Sequence, residues 1–193
     1  HKLRYPIIAK PAHEGSSIGV HADSLIRNPN QAPYITGRLL ASYRQPVMLE
    51  EYIDGEEFTV AVTGNEPPGV FGSMRIVPRN ISPDFIYSVE VKRDYVNLVD
   101  YECPPHLEQN ALKSLHESAV KAYAALGCRD IARLDYRIGS GGVPYLLEVN
   151  PLPGLGSHSD LVIMAGMMGI SHADLISTIL SAACTRYPQC CLT

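Results

Sequence analysis

The sequence predicts an α+β protein in which strands outnumber helices. Short segments rich in β-branched and aromatic residues recur between turns that contain Gly or Pro, as is typical of strands. Residues 106–126 instead place apolar side chains at helical spacing, and a second helical segment lies near the end of the chain. With 193 residues and 46% hydrophobic content, the chain can bury a core, in one domain or in two small ones.

The first half of the chain is predicted to be mostly strands. Pro11 is expected to end the first strand, and Asp54 and Gly55 are expected to form a turn between two later strands. A short helix with loops around it is predicted between residues 23 and 42. The predicted strands are residues 5–10, 47–53, 57–63 and 70–77.

The second half combines the clearest helix of the sequence, a hairpin and a closing helix. The first helix, residues 106–126, follows a Pro-Pro pair and stops near Gly127. Residues 131–138 and 143–150 are predicted strands joined by a glycine-rich turn. The closing helix covers residues 172–184.

Residues 78–101 differ from the segments around them. They are polar, turn-rich and only weakly periodic. A connection of this length without clear secondary structure is often functional, so the segment is a candidate lid loop.

Charge and cysteine content narrow the classes of function. A formal net charge of −4 without a basic block argues against a general nucleic-acid or membrane-surface binder. Neither a signal peptide nor an apolar stretch of membrane length is present. Five scattered cysteines without metal-ligand spacing favour a reducing compartment, so a cytoplasmic location is expected. Because the chain lacks an initiator Met and opens almost directly on a strand, it is expected to be part of a longer protein.

Two strand ends carry oxygen ligands suited to a metal ion. Glu148 and Asn150 lie two residues apart, hence on one face of a strand, directly before a Pro-Leu-Pro-Gly turn. Asp135 lies at the end of an earlier apolar run. Three hard oxygen ligands that converge from two strands suit Mg²⁺. For the Glu-Val-Asn segment alone, a polar strand end facing water is the better interpretation.

A lysine before a Gly/Ser-rich turn is a candidate phosphate site. Lys10 ends a predicted strand, and residues 11–19 follow as PAHEGSSIG. Backbone N–H groups of such a turn can hold phosphate oxygens, to which a lysine adds charge. Neither GxxxxGK[ST] nor GxGxxG is present, and alone this pattern favours a solvated loop beside a surface lysine.

An acidic strand end is a candidate base and ribose site. Residues 49–53 read LEEYI, and Glu57 follows shortly after. A carboxylate there can accept hydrogen bonds from an adenine amino group or from ribose hydroxyls. Taken alone, an exposed acidic turn is the better interpretation.

Read together, four segments resemble the ATP-grasp ligases and, within them, the D-alanine–D-alanine ligases. They occur in the order and spacing of that family: IAKPAHEGSSIGV (8–20), LEEYIDGEEFTVAV (49–62), ARLDYR (132–137) and YLLEVNPLPGLGSHS (145–159). Residues 165–180 also look like the family's closing helix. The resemblance implies an ATP-grasp fold, in which two lobes of antiparallel-rich sheet plus helices grip the nucleotide. It implies a small lobe of residues 1–53 and a large C-terminal lobe of residues 54–193 with a lid at about 78–101, the family's N-terminal domain being absent.

The resemblance also implies roles for nucleotide and metal ligands. Lys10 and Lys92 look like the lysines that contact the ATP phosphates. The adenine-binding hinge corresponds to Glu50, Glu51 and Ile53, and the ribose contact to Glu57. Asp135, Glu148 and Asn150 match the ligands for two Mg²⁺ ions, with Mn²⁺ as an alternative metal.

Further roles concern the reacting groups. Arg133 matches the arginine that stabilises negative charge at the reacting centre. Ser16 matches a loop serine near the substrate, while Gly154 and Ser159 match backbone and side-chain contacts to the substrates.

Two positions depart from the D-Ala–D-Ala ligase pattern. After Lys92, Arg93 stands where the family has a tyrosine that helps to position the second amino acid. Asp160 stands where an aliphatic residue is common. The two together predict a polar or charged acceptor. Alternatively, Arg93 points to solvent and Asp160 caps the segment that follows it.

The function implied is that of an ATP-dependent carboxylate–amine ligase, which joins amino acids through an acyl-phosphate. The missing domain supplies part of the first-substrate pocket in the family, so the chain by itself is expected to bind nucleotide while being inactive as a ligase. Another ATP-grasp ligase with a different polar acceptor in secondary metabolism is an alternative. A non-catalytic nucleotide-binding module is a further alternative, but it would require loss of the metal ligands or of Arg133. A homodimer is left open.

Overall fold

The computed structural model describes residues 3–15, 17–80 and 84–190. Ser16, one of the residues expected near the substrate, lies outside the described residues, so its role stays a prediction. The chain forms two compact units. The first contains His1–Asp54 and Pro78–Asp100, and the second contains Gly55–Val77 and Tyr101–Thr193.

The first unit is built on a three-stranded antiparallel sheet with one main helix. Its elements are β1 (Ile7–Pro11), β2 (Leu25–Ile26), α1 (Ala32–Tyr43) and β3 (Val47–Glu51), and the strand order is β2-β1-β3. Short 3₁₀ helices, Ala22–Ser24 and Pro29–Gln31, lie between β1 and α1. The core packs around Ile7, Ala9, Ile26, Ile35 and Leu39.

Alternation along β1 decides which side chains face away from this core. Ile7 and Ala9 are buried, so Ile8 and Lys10 lie on the other face. Pro11 was predicted to follow the strand, but it belongs to the strand as its last residue and lies opposite Val47. Strand β2 pairs only with Ile7 and Ile8, so at Pro11 strand β1 is paired with β3 alone. A residue without an N–H is tolerated at such an edge position.

The candidate lid segment contains regular structure where a polar loop is predicted. It holds α2 (Val89–Arg93) and α3 (Tyr95–Leu98), and it leads into β6 (Val99–Glu102). Ser88 caps α2 by accepting a hydrogen bond from the N–H of Val91, a local signal that periodicity over so short a helix cannot reveal.

Contacts inside the first unit hold this segment. The Ser17 hydroxyl donates to the Tyr87 carbonyl at 2.8 Å, the Val89 N–H donates to the Val20 carbonyl at 3.2 Å, and the Tyr52 hydroxyl donates to the Phe85 carbonyl at 3.1 Å. The structure thus groups residues 78–100 with the first unit, whereas the division implied by the sequence puts them in the large lobe. The boundaries of the ATP-grasp lobes stay a prediction.

The second unit is built on a sheet with strand order β6-β5-β4-β7-β8. Its remaining strands are β4 (Glu56–Thr63), β5 (Gly69–Pro78), β7 (Ile131–Ile138) and β8 (Pro144–Asn150). Strand β4 pairs antiparallel with β5 and with β7, and β7 pairs antiparallel with β8. The end of β5 and the start of β6 fall in the segment grouped with the first unit.

One face of this sheet packs on helix α4 (Gln109–Ala125). The helix begins three residues later than predicted. It buries the middle of the apolar stripe that the sequence indicates, whereas Leu126 at the end of the stripe is exposed. The core between helix and sheet includes Phe58, Val60, Leu115, Ala119, Leu134 and Tyr136. Side chains at alternate positions of β4 and β7 therefore lie on the opposite face.

Part of that opposite face is covered by α5 (Asp160–Met167) and α6 (His172–Arg186). Helix α6 agrees with the helix predicted at residues 172–184 and ends two residues later. Helix α5 was not predicted from the sequence, and the segment 165–180, which resembles the family's closing helix, is broken, with Gly169 at φ +76°. A Cβ on Gly72 of β5 would lie 2.7 Å from the Met168 sulfur and 2.9 Å from the Met164 sulfur. The missing side chain therefore lets this region lie close to the sheet.

Within the described ranges, no single helix is both long and apolar enough to cross a membrane. Helices α5 and α6 meet the length and composition criteria only as a pair, bent by 110° at the break between them.

Candidate functional site

A row of charged residues lies on the face of β7 turned away from α4. Arg133, Asp135 and Arg137 alternate with the apolar residues that pack on the helix, and all three are buried. Antiparallel pairing places Thr59 and Glu148 on either side of Asp135, and Asn150 beside Arg133. Charged side chains would not be buried here without partners, so their contacts define the site.

Arg133 is held by two carboxylates. Its Nε and Nη2 lie 3.0 and 2.8 Å from the two oxygens of Asp135, and its Nη1 lies 3.1 Å from Asp160 Oδ2. Glu148 is further away, with Oε1 3.7 Å from Nη2. Burial disfavours the charged form of the guanidinium, but the attraction of Asp135 and Asp160 outweighs it and raises the pKa of Arg133. The side chain is therefore a fixed cation in an acidic environment.

Asp135 is the centre of this network. Besides the two contacts from Arg133, it accepts a hydrogen bond from the Thr59 hydroxyl and one from Asn150 Nδ2 at 3.3 Å. A carboxylate has about four acceptor positions, so these contacts use its full capacity. Thr59 could not be selected from the sequence, because only the register of β4 against β7 brings it opposite Asp135.

Glu148 and Asn150 share one face of β8, as predicted. Asn150 Nδ2 also lies 3.0 Å from Glu148 Oε1, so the amide links the two carboxylates. Carboxylate and amide oxygens are suitable ligands for Mg²⁺. The three residues fit such an ion by their chemistry. To bind it, Asn150 would turn its amide oxygen, in place of the Nδ2 group, toward the ion, and the ion would replace one of the hydrogen bonds that Asp135 accepts. In the described part of the chain, no three His, Cys, Asp or Glu side chains come together as a metal site.

The turn after β8 brings Gly154 and Ser159 together. A Cβ on Gly154 would lie 2.6 Å from the Ser159 hydroxyl oxygen. Gly154 is exposed and Ser159 is half-buried. Asp160 begins α5, where its charge favours the helix N-terminus, and its carboxylate contacts Arg133 as described above.

In the first unit, the two neighbouring acidic residues of β3 point to different partners. Lys10 Nζ lies 2.6 Å from Glu50 Oε1, which joins a predicted phosphate contact to a predicted hinge residue. Glu51 instead accepts hydrogen bonds from Arg4, whose Nη2 lies 2.9 Å from Oε2, and Arg4 lowers the pKa of this carboxyl group. Ile53 lies two residues after the end of the strand and is half-buried. Strand alternation thus separates Glu50 from Glu51.

The two cations of the candidate lid segment, Lys92 and Arg93, also differ in their environment. Lys92 Nζ lies 4.8 Å from the centre of the Tyr87 ring, a cation–π distance, and Lys92 is half-buried. Arg93 is exposed. Glu90 on the same helix pairs with His21 and accepts a hydrogen bond from the Ser88 hydroxyl at 2.6 Å. The sequence does not indicate the pair with His21, because the two residues are 69 positions apart.

Glu57 contacts Arg137. The carboxylate Oε2 lies 3.4 Å from the arginine Nε, and the two residues are direct cross-strand neighbours on β4 and β7. Arg137 was not selected from the sequence, although alternation in ARLDYR places it on the same face as Arg133 and Asp135.

The sequence of the chain matches the family model described as "D-ala D-ala ligase C-terminus" over residues 1–181. The chain belongs to this family. The resemblance on which the predicted ATP-grasp fold rested is thereby confirmed.

Curated relatives of this D-Ala–D-Ala ligase C-terminal domain are about twice its length. A protein of Sinorhizobium fredii named uncharacterized protein y4sG is 34% identical over 186 residues, which cover 96% of this chain and 54% of that protein. A D-alanine–D-alanine ligase of Cupriavidus pinatubonensis is 34% identical over 181 residues, which cover 94% of this chain and 53% of the ligase. The domain thus spans about half the length of the curated relatives it matches.

Solved structures show the same α+β fold of antiparallel sheets with helices. D-alanine–D-alanine ligase from Bacillus anthracis, solved as a complex with ATP, has a TM-score of 0.68 at 19% identity, covering 97% of this domain and 54% of that chain. VanG D-Ala:D-Ser ligase from Enterococcus faecalis has a TM-score of 0.71 at 26% identity, covering 93% of this domain and 50% of that chain. The α+β prediction is therefore confirmed.

Proposed function

We propose that this domain is the nucleotide-binding part of an ATP-dependent carboxylate–amine ligase of the D-Ala–D-Ala ligase type. The observation that carries the proposal is the buried cation Arg133, held between Asp135 and Asp160 beside Glu148 and Asn150. Family membership supports the reaction class, and the Bacillus anthracis relative was solved with ATP. Burying such a polar network costs desolvation that the attraction between its charges often only offsets, so stability alone is a weak reason for it.

The reaction builds negative charge in two steps. A substrate carboxylate attacks the γ-phosphate of ATP, and an amine then attacks the acyl-phosphate and releases phosphate. Arg133 stabilises the charge that develops, because its position is set before the reaction by two carboxylates. Lys10 and Lys92 bind phosphate oxygens, and Glu50, Glu51 and Ile53 form the hinge that binds the adenine. Glu51 contributes its backbone to the hinge, because its carboxylate contacts Arg4. The segment containing α2 excludes water, in which an acyl-phosphate hydrolyses.

Asp135, Glu148 and Asn150 are proposed to hold Mg²⁺ or Mn²⁺. When bound, the ion neutralises phosphate charge and holds the transferred group. Ser159 is proposed to orient a substrate, and Gly154 leaves room for the Ser159 hydroxyl while its backbone contacts a substrate. Ser16 keeps the role of a substrate contact as a prediction.

The test uses the full-length protein and the 193-residue chain in parallel. Phosphate release that requires ATP, Mg²⁺ and D-alanine, with a dipeptide detected by mass spectrometry, is expected for the full-length protein. ATP binding without ligation is expected for the chain. R133M is expected to abolish ligation while ATP affinity changes little. A full-length protein that binds no ATP, or that ligates normally with R133M, would contradict the proposal.

A second candidate is a ligase of the same class with a polar acceptor in place of D-alanine. Asp160 favours this candidate. It places a carboxylate beside Arg133 where the family commonly has an aliphatic side chain, and a polar acceptor can interact with a carboxylate. VanG, which is 26% identical, is named a D-Ala:D-Ser ligase, and serine is a polar acceptor. The exposed Arg93 is the second residue proposed to select this acceptor.

An acceptor screen separates the two candidates. The full-length protein is supplied with D-alanine as first substrate and with apolar, hydroxylated, basic or acidic amino acids as second substrate. Preference for a polar acceptor, shifted toward D-alanine by D160L, supports the second candidate. Efficient formation of D-Ala–D-Ala by the unmodified protein supports the first.

A further inference from the structure

Glu57 and Arg137 form the cross-strand pair next to Thr59 and Asp135 on the charged face of the sheet. Glu57 lies two residues from Thr59 on β4, and Arg137 lies two residues from Asp135 on β7. Residues two apart on a strand share a face and are separated by about 7 Å. The pair therefore lies on the same face as Arg133 and Asp135, one step along the strands.

The two partners are buried to different degrees. The Arg137 side chain is 4% exposed and the Glu57 side chain is 12% exposed, with Nε 3.4 Å from Oε2. A bound molecule can therefore reach the carboxylate more easily than the guanidinium. This asymmetry favours a supporting role for Arg137 over direct contact with a ligand.

Stability alone is a weak reason for such a pair. Burying an arginine and a glutamate costs desolvation that their attraction often only offsets, and apolar residues of similar size commonly serve as well. An arginine–glutamate pair on the other face of the same sheet can be compared with it. There, Arg75 lies 3.2 Å from Glu56, at the edge of the core that packs on α4. That pair is more exposed, at 23% for Arg75 and 52% for Glu56.

We propose that Arg137 positions the Glu57 carboxylate to accept hydrogen bonds from the ribose hydroxyls of the nucleotide. The inference rests on the proposed function, in which Glu57 is the ribose contact. A carboxylate has about four acceptor positions, so it can meet Arg137 and ribose hydroxyls at the same time. The terminal phosphate then lies toward Asp135 and Arg133 on the same face. Arg137 is thus a positioning residue for ribose recognition.

The test is a comparison of two nucleotides on four variants. Calorimetry measures the affinity of the chain for ATP and for 2′,3′-dideoxy-ATP, which lacks both ribose hydroxyls, each with Mg²⁺. E57Q and R137M are expected to lower ATP affinity about tenfold, as for the loss of a hydrogen bond to a charged group. Their affinity for the dideoxy nucleotide is expected to stay within about twofold. R137K is expected to keep part of the preference for ATP, and R75M is the matched control that keeps all of it.

The outcomes separate this inference from the proposed function. If R137M weakens both nucleotides equally, or keeps the full preference for ATP, Arg137 does not position Glu57. If the unmodified chain binds both nucleotides equally, Glu57 is not the ribose contact and the inference fails. If the unmodified chain binds neither nucleotide, the proposed function fails as well. If R137M does not fold, R137K and E57Q test the inference instead. If both variants keep the full preference for ATP over the dideoxy nucleotide, the inference is overturned.

Discussion

Asp160 Oδ2 lies 3.1 Å from Nη1 of Arg133, and both side chains are 7% exposed. The contact joins the first residue of α5 to the middle of β7, so it links the helix that follows the turn to the charged row of the sheet. Asp160 is therefore buried in an ion pair, and the N-cap of α5 is Ser159.

The contact predicts a specific loss of stability. D160N removes one of the two nearest charged partners of a buried arginine, Glu148 being further away, so the free energy of unfolding is expected to fall by about 1–3 kcal/mol. Asp174 occupies a comparable place near the start of α6, but it pairs with the Ser171 hydroxyl and is exposed. D174N is therefore the control and is expected to cost less than about 1 kcal/mol. Urea unfolding measures both, and equal losses would contradict the prediction.

Nucleotide binding is expected to distinguish Glu50 from Glu51. K10M and E50Q are expected to weaken ATP binding, because Lys10 and Glu50 contact each other on the face away from the core. K10M should affect ATP more than adenosine, since the lysine meets phosphate, whereas E50Q should affect both. E51Q is the matched control, because Glu51 contacts Arg4 instead. Calorimetry checks this, and a loss with E51Q equal to that with E50Q would overturn the assignment.

Metal binding is expected to depend on Asn150. N150A removes an oxygen ligand and the link between Asp135 and Glu148, so Mn²⁺ affinity in the presence of ATP is expected to fall about 10- to 100-fold. Asn97, which donates to Asp94 at 2.7 Å in α3, offers a matched control. N97A is expected to leave Mn²⁺ binding unchanged. Electron paramagnetic resonance of bound Mn²⁺ measures the effect, and unchanged binding by N150A would exclude Asn150 as a ligand.

Gly154 and Ser159 are expected to act as one unit. An alanine at position 154 would place its Cβ 2.6 Å from the Ser159 hydroxyl oxygen, which must then rotate away. Such a rotation costs at most about 1.5 kcal/mol, so folding should persist. G154A and S159A are expected to reduce ligation by similar factors, and the double variant is expected to be no slower than either one. Additive losses in the steady-state rate would show that the two residues act separately.

Stability is expected to fall in mild acid because of His116. Burial lowers the pKa of His116 below the ordinary histidine value of 6.5, and Ser73 Oγ lies 2.9 Å from Nε2. Below pH 6.5 the unfolded chain therefore binds a proton that the folded chain resists, and the free energy of unfolding decreases as the pH falls. Because His116 is only half-buried, the slope should stay well below the one-proton limit of about 1.4 kcal/mol per pH unit.

H116Q tests this pH dependence, since glutamine keeps a polar group for Ser73 but does not titrate. Its unfolding free energy is expected to change less than that of the unmodified protein between pH 7.5 and pH 5.5. H172Q, at an exposed histidine, is the control. An H116Q protein with an unchanged pH dependence would exclude this histidine as the cause.

Local patterns in the sequence predicted most of the regular structure. Strand β7 has the predicted bounds, and β4, β5, β8 and α4 lie within a few residues of theirs, because periods of two and of 3.6 are visible where one face is buried. Helix α5 was missed because residues 161–168 are almost entirely apolar and show no period. The short helix α2 depends on its cap and on contacts with residues distant in the chain.

The sequence by itself determined the family, the α+β class and the chemistry of the oxygen ligands, since each depends on residue type and spacing. Only the tertiary structure decided which charges meet. The register of β4, β7 and β8 places Thr59 beside Asp135 and Glu57 beside Arg137, and the turn after β8 brings Asp160 to Arg133. The physical reason is that a buried charge must find its partner in space, and pairing between strands, unlike spacing along one strand, is not encoded locally.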